Sequence, residues 1–238
     1  MDKKIIEDTF SAAGIEGVTD GIVEKFVVFA DELMEWNKKA NLTAITIERE
    51  IAVKHFVDSL AALKTDSVSH CETIIDIGSG GGFPGLPIKF MRNAIKLTLV
   101  ESNNKKADFL DYIIDKLKIK DCQVLRDRAE VLSRSPKHRE KYDCCLIRAL
   151  SAYPIAMEVC SSLVSPQGIL LYYSSQKQTD AAKSNKQVHH RLSLKIADIF
   201  NYSLEGDMGE HSIITVKKLW KTDKKYPRDY AKIKKKPL

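Results

Sequence analysis

The sequence of 238 residues has no apolar run of the roughly 20 residues that a bilayer-spanning helix needs, so a membrane role is not expected. The opening stretch MDKKIIEDTFSAAGIEGVTD carries acids throughout and lacks the apolar segment of a secretory signal. Cysteine is scarce: Cys71, Cys122, Cys144, Cys145 and Cys160 form an odd set with no CxxC spacing. They read as reduced structural thiols of a cytoplasmic protein rather than a disulfide framework. The histidines show no HExxH or similar ligand spacing, and the adjacent His189 and His190 would diverge in any regular element, so no metal is expected. There is no internal repeat and no Pro/Gly-rich linker. The chain holds only 11 glycines, and Gly78, Gly80, Gly81 and Gly82 crowd into one short segment.

The rest is ordinary globular material, 44% apolar and 29% charged, and long enough for a substantial core. Charge is uneven. From Lys221 to Leu238, seven lysines and Arg228 face only Asp223 and Asp229, a net +6 that equals the charge of the whole chain. A neutral body with a basic end suits an extended anionic partner, and equally suits a solvated terminus.

Ile22, Phe26, Phe29, Leu33 and Trp36 recur at helical spacing, and a second helical stretch runs from Glu48 through Ile51, His55, Ser59 and Leu63. Asn41-Leu42-Thr43 joins them. Beyond residue 70 the rhythm changes to short β-branched runs alternating with helical patterns. Strands are predicted over 73–77, 96–100, 122–125, 142–147 and 169–173, and helices over about 103–117 and 154–163, with Pro166-Gln167-Gly168 as a turn. Residues 192–196 and 212–216 look like an antiparallel finish. The alternation predicts an α/β fold with a mostly parallel sheet, helices on both faces and an N-terminal helical cap. The expected divisions are a cap over 1–70, the α/β domain over 71–220 and a basic tail over 221–238.

The loop Gly78-Ser79-Gly80-Gly81-Gly82-Phe83-Pro84-Gly85 directly follows a predicted buried strand. Glycines there let backbone N–H groups approach a ligand closely. No Lys-Ser or Lys-Thr follows, which excludes a P-loop, and Pro84 breaks the dinucleotide GxGxxG form. Glu101 ends the next strand, where an acid can accept both hydroxyls of an adenosine ribose or simply cap the strand. Arg126-Asp127-Arg128-Ala129-Glu130 follows the third strand. It either frames an adenine edge or is a surface turn with an Arg126–Glu130 ion pair. Arg148 closes the fourth strand and must meet an anion there: a ligand carboxylate, a phosphate or a protein acid. Asp76 either anchors the glycine loop or reaches a ligand amino group. Asn37, Lys38, Asn41 and Thr43, then Lys54, His55, Asp58 and Ser59, gather polar groups on the cap, with His55 and Asp58 spaced to hydrogen-bond.

Together these segments resemble the family of ribosomal RNA small subunit methyltransferase G, also called glucose-inhibited division protein B. The resemblance rests on Trp36-Asn37-Lys38 with Asn41-Leu42-Thr43, Lys54-His55-Phe56-Val57-Asp58-Ser59, the loop from Asp76 to Gly85, and Glu101-Ser102 with Lys105-Lys106 and Phe109-Leu110. It continues through Arg128-Ala129-Glu130, Arg148-Ala149, Lys225-Tyr226-Pro227-Arg228 and Lys235-Lys236-Pro237-Leu238, and so covers nearly the full chain.

The resemblance implies a class I, Rossmann-like methyltransferase that uses S-adenosyl-methionine to make 7-methylguanosine at one guanine in the 530-loop region of 16S rRNA. The RNA partner would be free 16S rRNA or a small ribosomal subunit precursor, and the enzyme a cytoplasmic monomer without metal. The cofactor would meet Asp76, Gly78, Gly80, Phe83, Glu101, Ala129, Glu130 and Arg148. Asn37, Lys38, Asn41, Lys54, His55, Asp58, Ser59, Lys177 and Arg228 would face the substrate. Family members commonly carry Lys-Gly where this chain has Ser174-Ser175 before Gln176-Lys177, and Arg where it has Glu210. Guanine N7 keeps a free lone pair, so Arg148 would orient the base and no general base is expected. Other readings are a methyltransferase of small molecules or proteins, a non-catalytic adenosine-nucleotide-binding regulator, and a nicotinamide-dependent oxidoreductase.

Overall fold

Short apolar segments between Thr73 and Lys218 build one seven-stranded sheet in the computed structural model of the chain, which describes residues 1–206 and 209–238. The strands are β1 (Thr73–Ile77), β2 (Lys96–Val100), β3 (Cys122–Leu125), β4 (Tyr142–Ile147), β5 (Val164–Ser175), β6 (Leu194–Ser203) and β7 (Glu210–Lys218). Their order is β3-β2-β1-β4-β5-β7-β6. The first five are parallel, and β7 runs antiparallel between β5 and β6. The order reverses between β1 and β4, which opens a crevice at their carboxyl ends.

Residues alternate between two cores, as a sheet covered on both faces requires. Ile74, Leu97, Cys144 and Leu171 face the N-terminal side, whereas Ile75, Cys145, Leu170 and Ile214 face the other. The first face is covered by α1 (Lys3–Ala12), α2 (Asp20–Ala40) and one continuous helical stretch. That stretch comprises α3 (Glu48–Ile51), a π-helical segment (Ala52–Val57), α4 (Asp58–Leu60) and a 3-10 turn (Ala61–Lys64). Helices α5 (Gly85–Met91) and α6 (Asn104–Lys116) complete this side, and α7 (Ala129–Leu132), α8 (Tyr153–Cys160), α9 (Gln176–Ser184), α10 (Lys186–Leu192) and α11 (Tyr230–Lys235) cover the other.

Thr19 caps the start of α2, and Asn41, in the left-handed region at φ 49°, ends it. The predicted stripe of α2 is buried at Phe26, Phe29 and Leu33. Phe29 lies at the centre of an aromatic cluster, 5.2 Å from Phe83, 5.7 Å from Phe56 and 6.2 Å from Phe109 between ring centroids. Phe83 belongs to the glycine-rich loop, so the loop is clamped by the same aromatic packing that seats the helices.

Three expectations change. Pro166-Gln167-Gly168 is not a turn before a strand but an irregularity inside β5, with Gln167 at φ 70° and a register shift opposite Tyr142 and Cys144. Leu192 ends α10 instead of opening a strand, because Ser193 takes the left-handed region there (φ 56°). Strand β6 then continues to Ser203, past a register shift after Ile196, and its mostly exposed edge position hides the alternation expected of a half-buried strand. Finally, the basic end is anchored. Tyr226, Ile233 and Leu238 are buried in the second core, while Lys224, Lys225, Lys232 and Lys234 to Lys236 stay exposed.

Candidate active site

Strand β1 delivers Asp76 and then the glycine loop to the crevice. Asp76 is fully buried, and its Oδ2 accepts the Gly85 N–H at 2.9 Å. It anchors the far end of the loop, the first of the two roles expected for it. A Cβ on Gly85 would sit 2.7 Å from that oxygen, so the contact requires glycine. Asp76 Oδ1 is buried with no hydrogen-bond partner among the described residues. Burial pushes this carboxyl up to about 7, against the opposing pull of the Gly85 N–H and of the Arg148 charge.

The near end of the loop is held differently. Gly78 and Ser79 donate to the Val100 carbonyl at 2.9 and 3.1 Å, with Gly78 at φ 72°, where an L side chain would be strained. Glu101, at the tip of β2, accepts the Gly80 N–H on Oε2 (3.0 Å) and the Asn103 N–H on Oε1 (2.7 Å). One carboxylate thus ties the glycine loop to the start of α6.

Beside Glu101 lies a cleft of about 160 Å³ whose walls include Gly78, Val100, Ala129, Glu130 and Ile155. Its chemistry matches a nucleoside: a carboxylate with lone pairs left for hydroxyls, an apolar slot wide of it, and a glycine wall without side chains. The residues present therefore fit the adenosine of S-adenosyl-methionine. Arg126, offered above as a partner of Glu130, instead binds Asp108 and Asp111 on α6, both at 2.5 Å. Glu130 is left lining the cleft.

Arg148 meets the third of its possible anions, a protein acid. Its Nε lies 2.9 Å from Asp58 Oδ2, Nη2 donates to the Lys54 carbonyl at 2.7 Å, and Nη1 reaches Ser59 Oγ at 3.4 Å. Asp58 Oδ1 also accepts the Tyr202 hydroxyl (2.5 Å) and stands 3.8 Å from His211 Nδ1. Asp58 comes from α4, Arg148 from the bend just after β4, Tyr202 from β6 and His211 from β7. Burial beside this carboxylate raises the Tyr202 hydroxyl well above its ordinary range.

His55 does not bond Asp58, although their spacing allowed it. Its Nε2 is 2.7 Å from Thr43 Oγ1 and its ring stacks on Phe83, with centroids 4.4 Å apart. Burial, then the charge of Arg148, pushes His55 down to about 3, so the imidazole is neutral at physiological pH. Asn37 latches the connector by donating to the Thr43 carbonyl (2.8 Å) and accepting its N–H (2.9 Å).

Of the remaining expected substrate-side residues, Lys38 is exposed and pairs with Glu35, and Lys54 pairs with Glu50. Asn41 and the lysines Lys39, Lys105 and Lys106 border a polar groove between the end of α2 and the start of α6. Lys177 is exposed in the first turn of α9. Arg228 is engaged within the protein. Its guanidinium grips the fully buried Glu158 at 2.7 and 2.6 Å and pins the C-terminal segment to α8. Tyr202 went unnoticed in the sequence because nothing in its exposed edge strand marks one aromatic as aimed inward.

Sheet order, latched loop and a cleft whose lining suits a nucleoside are those of a class I S-adenosyl-methionine-dependent methyltransferase. A family model described as rRNA small subunit methyltransferase G matches residues 22–205. The chain is 38% identical over 217 residues to ribosomal RNA small subunit methyltransferase G of Clostridium botulinum, covering 90% of each chain. It is 38% identical over 216 residues to the protein of that name from Desulfitobacterium hafniense, covering 91% of this chain and 89% of the other. The chain belongs to the rRNA small subunit methyltransferase G family.

Among solved structures, an O-methyltransferase from Bacillus cereus in complex with SAH superposes with a TM-score of 0.57 at 14% identity, covering 91% of this chain and 99% of that one. The [4+2]-cyclase SpnF superposes at 0.53 with 14% identity, covering 68% and 81%. These likenesses establish the fold; a cyclase among them shows that fold alone does not settle the chemistry.

Proposed function

We propose that the protein methylates N7 of one guanine in the 530-loop region of 16S rRNA, as free RNA or within a small-subunit precursor, acting as a cytoplasmic monomer. The observation that carries the reading is the juxtaposition, in a chain of this family, of the latched glycine loop with the Arg148–Asp58 cluster and the neutral His55–Phe83 stack. Bound S-adenosyl-methionine supplies a sulfonium methyl group. Gly78, Gly80 and Phe83 hold its place at the loop, Glu101 takes the ribose hydroxyls, and Ala129 with Glu130 borders the adenine.

N7 would bond the methyl carbon with its own lone pair while the carbon–sulfur bond breaks and its electron pair stays on a neutral thioether, so the residues have orientation and charge to manage and no proton to remove. Arg148 suits that task. Two N–H groups of the guanidinium donate to the Lys54 carbonyl and to Ser59 while Asp58 pairs with its charge, which holds the fork in place and leaves other N–H groups to meet the incoming nucleotide. His55, neutral and stacked, adds a flat surface without adding charge beside a purine that becomes cationic. The groove lined by Lys39, Asn41, Lys105 and Lys106 offers phosphate contacts next to the loop, and exposed lysines of the C-terminal segment add salt-sensitive affinity. Access to N7 in structured RNA calls for displacing the base from its stack.

The test is transfer of labelled methyl from S-adenosyl-methionine to 16S rRNA and to small subunits lacking base modifications, followed by digestion to nucleosides. Label in 7-methylguanosine at one position, declining with added salt, is the expected result. Label in another nucleoside, or in none while the cofactor still binds, overturns the assignment.

A further inference from the structure

We infer that Tyr230, in the C-terminal segment, forms the aromatic wall of the cofactor cleft and packs against the adenine ring. The inference rests on the cleft beside Glu101 being the cofactor site. Tyr230 is the only aromatic residue among those described that line this cleft. The other walls are aliphatic, glycine or polar, with Ile77, Val100, Ala129, Leu150, Ile155 and Val159 supplying the apolar surface. Glu101 marks the ribose end. Tyr230 enters on the side of the sheet covered by α7 and α8, where Ala129 and Ile155 stand, and this is the end left for the purine.

The ring is held in place by the chain around it. Tyr230 is the first residue of α11, whose start is fixed by Asp229 accepting the Ala231 N–H at 3.0 Å. One turn on, Ile233 is fully buried. Just before, Arg228 makes its two-pronged bond to Glu158, and the Arg139 guanidinium donates to the carbonyls of Tyr226 (2.9 Å) and Thr222 (2.8 Å). The Tyr230 side chain itself is only half-buried and packs on the second core. A half-open aromatic on a pinned backbone, facing an apolar slot, is what a flat uncharged heterocycle would cover. The C-terminal segment therefore contributes to cofactor binding as well as charge to the surface.

Stacking on an adenine and general packing differ in what they tolerate. Base–aromatic stacking is sensitive to loss of the π-face and insensitive to loss of the hydroxyl. Affinity for S-adenosyl-homocysteine and for 5′-methylthioadenosine is measured by calorimetry on the full chain carrying Tyr230→Ala, Tyr230→Leu or Tyr230→Phe, with Glu101→Ala as reference. Tyr230→Ala is expected to weaken both ligands about tenfold, Tyr230→Leu several-fold, and Tyr230→Phe hardly at all. Thermal midpoints of the unliganded variants show whether α11 stays seated, and Tyr230→Leu retains the packing volume if Tyr230→Ala does not. Wild-type affinity in Tyr230→Ala or Tyr230→Leu, with Glu101→Ala still weakened, overturns the role of Tyr230 alone. Equal loss in Tyr230→Phe overturns the stacking and points to the hydroxyl. Unchanged affinity in Glu101→Ala overturns the placement of the cofactor in this cleft.

Discussion

Arg148 at the end of β4 and Asp58 in α4 form a largely buried ion pair, 2.9 Å from Nε to Oδ2, that joins the helical stretch 48–64 to the carboxyl edge of the sheet. Both partners have further hydrogen bonds, from Tyr202 to Asp58 and from Arg148 to the Lys54 carbonyl, so the pair is held in one geometry. Removing one partner strands the other. Arg148→Ala is expected to cost about 3 kcal/mol of stability, which for a chain of this size lowers the thermal midpoint by roughly 10 °C. Arg148→Lys should recover part of it, since an ammonium keeps the charge but cannot span Asp58, Ser59 and Lys54 together. Asp58→Asn should lose less than Arg148→Ala, because the amide oxygen still accepts. Equal urea midpoints for wild type and Arg148→Ala would show that the pair adds nothing to the fold.

Glu101 has two structural hydrogen bonds before any ligand arrives, to the N–H groups of Gly80 and Asn103. Glu101→Gln keeps one acceptor oxygen and replaces the other with a donor that faces an N–H. The loop end should loosen, and charge-assisted acceptance of the ribose hydroxyls is lost. The expected outcome is cofactor affinity lower by a factor of about 10 to 100, equivalent to one or two such hydrogen bonds, with only about 1 kcal/mol lost from stability. Titration calorimetry beside a urea melt separates the two effects. Equal percentage losses in stability and affinity energies would indicate a merely structural residue.

Much of this was legible in the sequence because the relevant signals are local. The run Thr73–Gly85 announces strand, glycine loop and helix in one stretch, and Glu101 and Ala129-Glu130 sit one strand–helix step further on each time. What was not legible depends on pairing across the chain. Asp58 lies 90 positions from Arg148 and 144 from Tyr202, and no periodicity links them. Arg228 looked like a free cation of a basic tail because its partner Glu158 lies in another helix, buried in a run that reads as core. Tyr230 shows no aromatic pattern at all, and only the anchoring of the segment around it brings it to the cleft.

Gly85 offers a steric test of the loop. A methyl group there would stand 2.7 Å from Asp76 Oδ2 and 2.8 Å from Leu99 Cδ2, both in the buried layer under the loop. Neither neighbour can retreat far, since Asp76 lies between paired strands and Leu99 is fully buried. Gly85→Ala is expected to destabilise the fold by about 1–3 kcal/mol through overpacking. It should also weaken cofactor binding, as the Gly85–Asp76 bond lengthens and the loop shifts. A variant with unaltered melting and binding would mean that the strand and helix part there at little cost.

Asp76 and His55 bias the pH dependence of stability in opposite directions. Asp76 is raised from its ordinary 3.8 to about 7. Across that window the unfolded chain has released a proton that the folded chain still holds, so this residue makes stability fall as pH rises. His55 is lowered from 6.5 to about 3. Across its window the unfolded chain holds a proton that the folded chain lacks, so stability rises with pH and is lost on acidification. The windows overlap between about pH 4 and 6.5, where one proton taken up on unfolding offsets one released. Wild type should therefore show a shallow profile there. Asp76→Asn, which can still accept the Gly85 N–H, removes the first effect and should make stability climb more steeply with pH. His55→Gln removes the second and should leave stability declining from about pH 4 to 7. Urea midpoints collected across this range decide the matter: three parallel profiles would show that neither group titrates abnormally, whereas opposite tilts of the two variants would place both protons where the buried site puts them.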